Sequence, residues 1–381
     1  VAGKTRDLVR ELRQDIVDGR YAPGERIPSQ IELAERFDVA GMTVQMAVKH
    51  LEREGFIEAR GPLGTFVTEP PPHLNSYAVV FVFDPVAPFA EQNWSRYHQA
   101  LTQASIRLQQ ATGKRMLMFH GIDQHADSED RQSLIAHIER QSLAGIVFTN
   151  PPLLLAGTPI LDAPGIPRVA LMSHPDTRFP QVSIVSFDGV MWVDKALDHL
   201  AALGRRRVAI IEFGTGPEFD ARVQARLEAR GMVSHRRWRQ FVSLRNAKGA
   251  TNAVELLMND RERPDSLLVE DDNFVEQAVA GLAAAGVRVP DDVAVVGHAN
   301  FPVAPSKLLP MRLLGYDANL FLRTAVDLID RQRRGEKVPQ ETKLPALWEE
   351  EVGSQCSVFG VQCSGKLEFR AAQVEQQEKD T

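Results

Sequence analysis

Apolar residues in the first part of the chain recur at helical spacing. Leu8, Leu12 and Ile16, with Val9 and Val17, form one stripe, and Gly19 and Tyr21-Ala22-Pro23-Gly24 end it in a turn. Ser29-Gln30-Ile31-Glu32 reads as a capping box, in which the serine hydroxyl caps a helix and the glutamate reaches back. Leu33, Ala34 and Phe37 give that second helix its apolar face. After Asp38-Val39-Ala40-Gly41 a third helix carries Val44, Ala47, Val48 and Leu51 and closes at Glu54-Gly55. Two short strands, 56–60 and 65–67, flank Gly61-Pro62-Leu63-Gly64. Three helices and a hairpin predict a winged helix-turn-helix.

From Tyr77 the pattern changes. Residues 77–83 are a near-continuous apolar run, as in a strand buried on both faces. A helix over 90–112, a strand over 115–119, a helix over 127–141 and strands over 145–149 and 168–172 follow. Past Ser186-Phe187-Asp188 the alternation resumes. Helices are expected over 189–203, 219–230, 250–258, 274–285 and 318–334, and strands over 208–212, 239–243, 266–269 and 293–296. Strand–helix alternation places helices on both faces of parallel sheets. The expected fold class is therefore α/β, with a body of two parallel-sheet lobes and a cleft between them.

Glu69-Pro70-Pro71-Pro72-His73 separates the two patterns. Three prolines cannot continue a helix or a central strand, and they favour a stiff spacer. The expected division is a head over 1–69, a linker over 70–76, a body over 77–353 and a polar tail over 354–381. Within the body, one lobe is expected to take 77–185 and 312–336, and the other 189–310 and 338–353. Charge adds a caution. The chain carries 44 Lys+Arg against 50 Asp+Glu, a net of −6. Residues 1–69 hold 10 Lys/Arg and 12 Asp/Glu, a balance of −2. No bulk basicity announces a nucleic-acid partner. No apolar run approaches the ~18–20 residues of a membrane span, Val1–Arg10 has no signal-like apolar core, and the only cysteines are Cys356 and Cys363. A cytoplasmic location without membrane association is the expectation.

Pro23-Gly24-Glu25-Arg26-Ile27-Pro28-Ser29, Glu32-Leu33-Ala34, Met42-Thr43-Val44, Glu54-Gly55-Phe56-Ile57 and Gly64-Thr65-Phe66-Val67 closely resemble the GntR-family DNA-binding domain over residues 8–67. The resemblance implies that the third helix enters the major groove of double-stranded DNA while the wing reaches the adjacent minor groove. Ile31, Ala40-Gly41 and Gln45 stand where that family usually has arginines or Ser-Arg. What remains facing DNA is Thr43, Gln45, Lys49, His50 and Arg60. Gln45 could read adenine, and Thr43 and Lys49 could hold phosphates.

The body carries a second resemblance. Phe187-Asp188-Gly189, His199-Leu200 through Gly204 to Arg207-Val208-Ala209, Pro264-Asp265, Asp271-Asp272 and Ala285-Gly286 through Pro290 to Gly297 look like the effector-binding domain of LacI/GalR regulators, which is similar to periplasmic sugar-binding proteins. It covers about 77–350, and a GntR-like head on such a body resembles the arabinose-repressor arrangement. The resemblance implies effector contacts at Phe89, Asp188 and Asp271, with Asp272 as a contact or a helix cap. The family's cleft arginine falls on Phe219, its cleft aromatic near Arg245, and its clamping aspartate on Ala299. Arg222, one turn after Phe219, could supply the missing guanidinium, and the changed set argues against a typical neutral-sugar site.

No Gly-x-Ser-x-Gly, Walker or zinc motif occurs, so no catalytic residue, metal or cofactor is expected. The expected function is a transcription regulator, working as a homodimer on a palindromic operator and controlled by a small effector, such as a sugar or sugar derivative. Its rivals are a ligand-binding protein that no longer reads DNA, and an enzyme using the cleft.

Overall fold

The computed structural model describes residues 2–81, 95–122, 127–214 and 216–353, without the side chains of Ala2, Ser95 and Arg245. The head is built from α1 (Ala2–Val17), α2 (Gln30–Phe37) and α3 (Gly41–Arg53), then β1 (Ile57–Ala59) and β2 (Thr65–Val67). The two strands pair antiparallel, with Ile57 opposite Val67. Leu8, Leu12, Leu33, Val44, Leu51 and Phe56 close the core between the helices and the hairpin. The capping box forms as its sequence predicts. Ser29 Oγ accepts from the Glu32 amide at 3.3 Å, and Glu32 Oε2 accepts from the Ser29 amide at 2.7 Å.

The proline segment is not a free spacer. Pro72 opens a single helical turn, α4 (Pro72–Asn75), at a position where its missing N–H costs nothing, and β3 (Ser76–Val80) follows at once. His73 is buried and stacks on Phe56 of the head, with centroids 5.8 Å apart and planes 8° from parallel. Desolvation pushes the His73 imidazole down to about 4, so it is neutral at neutral pH. The head also touches the body directly. Gln141 Nε2 donates to Gln14 Oε1 at 3.0 Å, and Arg140 pairs with Glu54 at 3.5 Å.

The body continues with α5 (Ser95–Thr112), β4 (Arg115–Phe119), α6 (Glu129–Glu139), β5 (Gly145–Phe148), α7 (Pro159–Asp162), β6 (Arg168–Leu171) and β7 (Val182–Phe187). It then runs through α8 (Gly189–Ala202), β8 (Val208–Glu212), α9 (Pro217–Ala229), β9 (Arg239–Phe241), α10 (Gly249–Met258), β10 (Ser266–Val269), α11 (Asp272–Ala284), β11 (Ala294–Phe301) and β12 (Arg312–Asp317). It ends with α12 (Ala318–Arg333), β13 (Glu341–Leu344) and β14 (Leu347–Trp348). One six-stranded sheet has the order β13-β7-β6-β5-β3-β4 and the other β14-β12-β11-β10-β8-β9. Only the β12–β14 pair is antiparallel within these two sheets. Each sheet has apolar clusters on both faces, as the Val/Ile/Leu-rich strands require.

The lobes exchange chain three times, after Phe187, after Asp317 and between Leu344 and Leu347. The expected lobe division is corrected here. Residues 312–317 belong to the second sheet rather than to the first lobe, and 341–344 belong to the first sheet rather than to the second. Leu313 and Leu314 fill the second lobe's core on opposite faces, whereas Phe321, Leu322 and Ile329 of α12 pack into the first.

Candidate functional site

The carboxyl ends of the parallel strands of the two lobes face each other across a cavity of about 610 Å³. Such crevices are where open α/β sheets bind ligands. At the crossovers, Phe187 lies flat on Tyr316, with centroids 4.1 Å apart and planes at 7°, and Phe321 meets Phe187 edge-on. The first lobe supplies Tyr97, Thr149 and Asn150, and the second supplies Trp192, Phe213, Phe219 and a run of three acids, Glu270-Asp271-Asp272.

These acids stand where β10 ends and α11 begins. Asp271 caps α11, accepting from the Asn273 amide at 2.9 Å and from Asn273 Nδ2 at 2.6 Å. Its carboxyl is pushed above the ordinary range by burial, partly offset by those bonds. Asp272 accepts from Asn300 Nδ2 at 2.9 Å and is pushed up to about 7 by burial and by Asp271. Glu270 is pushed up to about 8 by burial and then by Glu212. Its Oε2 has less than 1 Å² exposed and no hydrogen-bond partner. Behind it Arg239 donates to Glu212 at 2.6 Å and to Asp220 at 2.7 Å. Burial holds His298 down to about 4, and its Nδ1 is also buried without a partner. Arg96 of α5 bridges the lobes, pairing with Glu276 at 2.7 Å and donating to the Asp272 carbonyl at 3.4 Å.

Of the effector contacts expected from the sequence, Phe219 and Asp271 line the cavity. Asp188 does not. It caps α8, accepting from the Met191 amide at 3.0 Å, one residue before Gly189 in the cavity wall. Arg222 is corrected: it is exposed and pairs with Glu218 at 3.7 Å. Val223 and Leu227 set the buried stripe of α9, which turns Arg222 toward solvent. Ala299 is wholly buried between sheet neighbours, and His298 and Asn300 on either side of it reach the cavity instead. Phe89 and the Arg245 side chain lie outside the described residues. Sequence reasoning missed Glu270, Trp192, His298 and Tyr316. Glu270 carried a signal, because it turns the run at the end of an apolar strand into three consecutive acids.

On the head, Gln45 and Lys49 are exposed on α3. Thr43 is corrected: only 6% of its surface is exposed, on the face it shares with Val44 and Ala47, so its hydroxyl cannot reach a duplex. His50 pairs with Glu54 at 3.2 Å, and Arg60 pairs with Glu58 at 2.6 Å while lying over the Phe66 ring. Met42 and Met46 are the large apolar groups that α3 exposes beside Gln45. No helix among the described residues is long and apolar enough to cross a membrane.

Residues 4–67 match the family described as bacterial regulatory proteins, gntR family, and residues 197–349 match the periplasmic binding protein-like domain. The chain is similar to the arabinose metabolism transcriptional repressor of Geobacillus stearothermophilus, with 24% identity over 78% of this chain and 82% of that one. Its body is similar to a LacI family transcriptional regulator of Arthrobacter sp. FB24 solved in complex with lactose, with a TM-score of 0.54, 18% identity, and 72% and 97% of the two chains covered. A LacI transcriptional regulator of a Rhodococcus species gives a TM-score of 0.53 at 19% identity, covering 72% and 96%. The chain is a transcriptional regulator whose head matches the gntR family of bacterial regulatory proteins and whose body has the periplasmic-binding-protein-like fold.

Proposed function

We propose that the protein is a cytoplasmic repressor that binds a palindromic operator as a homodimer and changes its hold on DNA when a small molecule, a sugar or sugar derivative, occupies the cleft. The observation that carries this reading is the continuity between the two sites. The head is seated on the first lobe through the His73–Phe56 stack and the Arg140–Glu54 pair, while Arg96 ties that lobe to the cavity floor of the second. A ligand that alters lobe closure therefore changes the platform on which the head stands. Gln45 and Lys49 are the residues that meet the major groove, and two such heads on one dimer read two half-sites. Phe219 and Asp271 contact the effector, and Asp188 shapes the wall through the α8 cap. The relatives are transcription regulators.

The test is a gel shift of the full chain on the DNA upstream of its own gene. A band that a scrambled duplex of equal length does not compete supports the reading. Equal competition by both duplexes would favour a ligand-binding protein that no longer reads sequence.

A further inference from the structure

We infer that the cleft selects a small organic cation, an effector whose protonated amine is received by Glu270 against an aromatic wall. This rests on the reading of the cavity as the effector site and narrows it to one ligand chemistry.

The first observation is charge. The described residues lining the cavity include three carboxyls in a row and no lysine or arginine. The nearest guanidinium behind Glu270, that of Arg239, is already shared between Glu212 and Asp220. The Arg96 guanidinium is likewise engaged, by Glu276 and the Asp272 carbonyl. Among the described residues, an anion entering this cavity meets carboxyls with no cation set against it.

The second observation is the supply of donors. Trp192 Nε1 donates to the Leu314 carbonyl at 2.8 Å, Tyr97 to the Thr149 carbonyl at 2.8 Å, Asn273 Nδ2 to Asp271 and Asn300 Nδ2 to Asp272. The wall has thus spent these four donors on itself, while Glu270 Oε2 is buried without any donor. A buried polar oxygen left unpaired costs its desolvation, and because the ionised carboxylate can only accept, an occupant that brings donors is what suits its charged form. An ammonium has three donors and no acceptor, whereas each hydroxyl of a neutral polyol also has lone pairs that ask for donors in return.

The third observation is the wall itself. Trp192, Phe213, Phe219 and Tyr316 line the same space. Ring faces carry negative potential and attract desolvated cations. In the empty cleft burial favours the protonated Glu270, so an arriving ammonium restores its charge and the proton leaves to solvent. No covalent step is involved.

The experiment is thermal-shift screening and calorimetry on the full chain with matched sets of one skeleton in three charge states. The sets are glucosamine, glucose and glucuronate; galactosamine, galactose and galacturonate; and phenethylamine, phenylethanol and phenylacetate. At neutral pH an amine should raise the transition and bind about tenfold or more tightly than its neutral partner. Calorimetry in two buffers of different ionisation enthalpy should show proton release. Glu270→Gln should remove the preference for the amine, and Phe213→Leu should weaken the amine more than the neutral partner, which keeps the inference testable if Glu270→Gln misfolds. Neutral or acidic members binding as tightly as the amines, or an amine preference that survives Glu270→Gln, would overturn the inference and leave the cleft as an effector site. No binding by any member would count against both.

Discussion

Raising the pH should loosen the second lobe, and replacing Glu270 by glutamine should remove much of that effect. A glutamate in the unfolded chain titrates near its ordinary value of about 4.3. In the folded chain burial and the Glu212 charge push Glu270 up to about 8. The folded state therefore keeps a proton that the unfolded state has lost. Stability falls as pH rises from the unfolded value to the folded one, and levels off above it. Each pH unit in that window costs at most about 1.4 kcal/mol, so moving from about pH 6 to about pH 9 costs about 2–3 kcal/mol through this one group. Asp272, pushed up to about 7, adds a smaller part in the same direction, and Asp271 shifts the same way. Arg239 opposes the loss, while Glu212 and Asp220 reinforce it. Urea unfolding of wild type and Glu270→Gln at the two pH values reads the difference directly. If both proteins lose the same stability, the buried carboxyl is not the source of the dependence.

Asp188→Ala should lose about 1 kcal/mol of stability in urea with the α8 cap, while Asp188→Asn retains most of it; equal stability of all three would show the cap to be idle. Gly315→Ala should destabilise the second lobe by at least ~3 kcal/mol, measured by thermal unfolding, because a Cβ there would sit 1.7 Å from the Ala299 carbonyl oxygen. Lys49→Ala should weaken operator binding and lower the salt slope by about one, Gln45→Ala should cost about 1–3 kcal/mol with loss of sequence preference, and Thr43→Val should change neither, all read by anisotropy titration. Residues 76–353 alone should sediment as a dimer; Leu101, Ala104 and Leu108 of α5 and Leu134 and Ile138 of α6 are buried in the lobe's own core, so a contact through α5 must use its outer face, where Ile106 is exposed; a monomer at micromolar concentration would leave dimerisation to the heads on DNA.

The periodic parts of the fold were legible in the sequence. Helical stripes such as Leu8-Leu12-Ile16 and apolar runs such as Ser266–Val269 report burial on one stripe or two faces, and burial follows from local pattern. The Ser29–Glu32 box located the start of α2 because its chemistry is local as well. The crossovers were harder to read. Residues 312–317 carry one apolar pair, Leu313-Leu314, and 341–344 read Glu341-Thr342-Lys343-Leu344 with almost no apolar pattern, so only their pairing with β11 and with the distant β7 decides their lobe. The linker misled because three prolines limit the backbone but do not reveal that His73 will find Phe56. The cleft was legible in part. Phe219 and Asp271 came from a family pattern, but Glu270 acquires its meaning only when folding buries it beside Glu212 and leaves Oε2 without a donor. Thr43 and Arg222 failed for one reason: helix phase is set by the strongest buried residues nearby, Val44 with Ala47 and Val223 with Leu227.

Coupling between cleft and head is the central claim, and it is open to one measurement. The affinity of the full chain for a labelled duplex from its own upstream region is determined by fluorescence anisotropy, with and without a saturating small molecule that raises its thermal transition. If operator binding distinguishes the same two lobe arrangements as the ligand, linkage requires the ligand to change operator affinity, by about 5–150-fold for typical coupling energies. The expected result is a several-fold change in operator affinity that Arg96→Ala, which cuts the bridge between the lobes, diminishes without abolishing ligand binding. An operator affinity that stays the same at full ligand occupancy would contradict it.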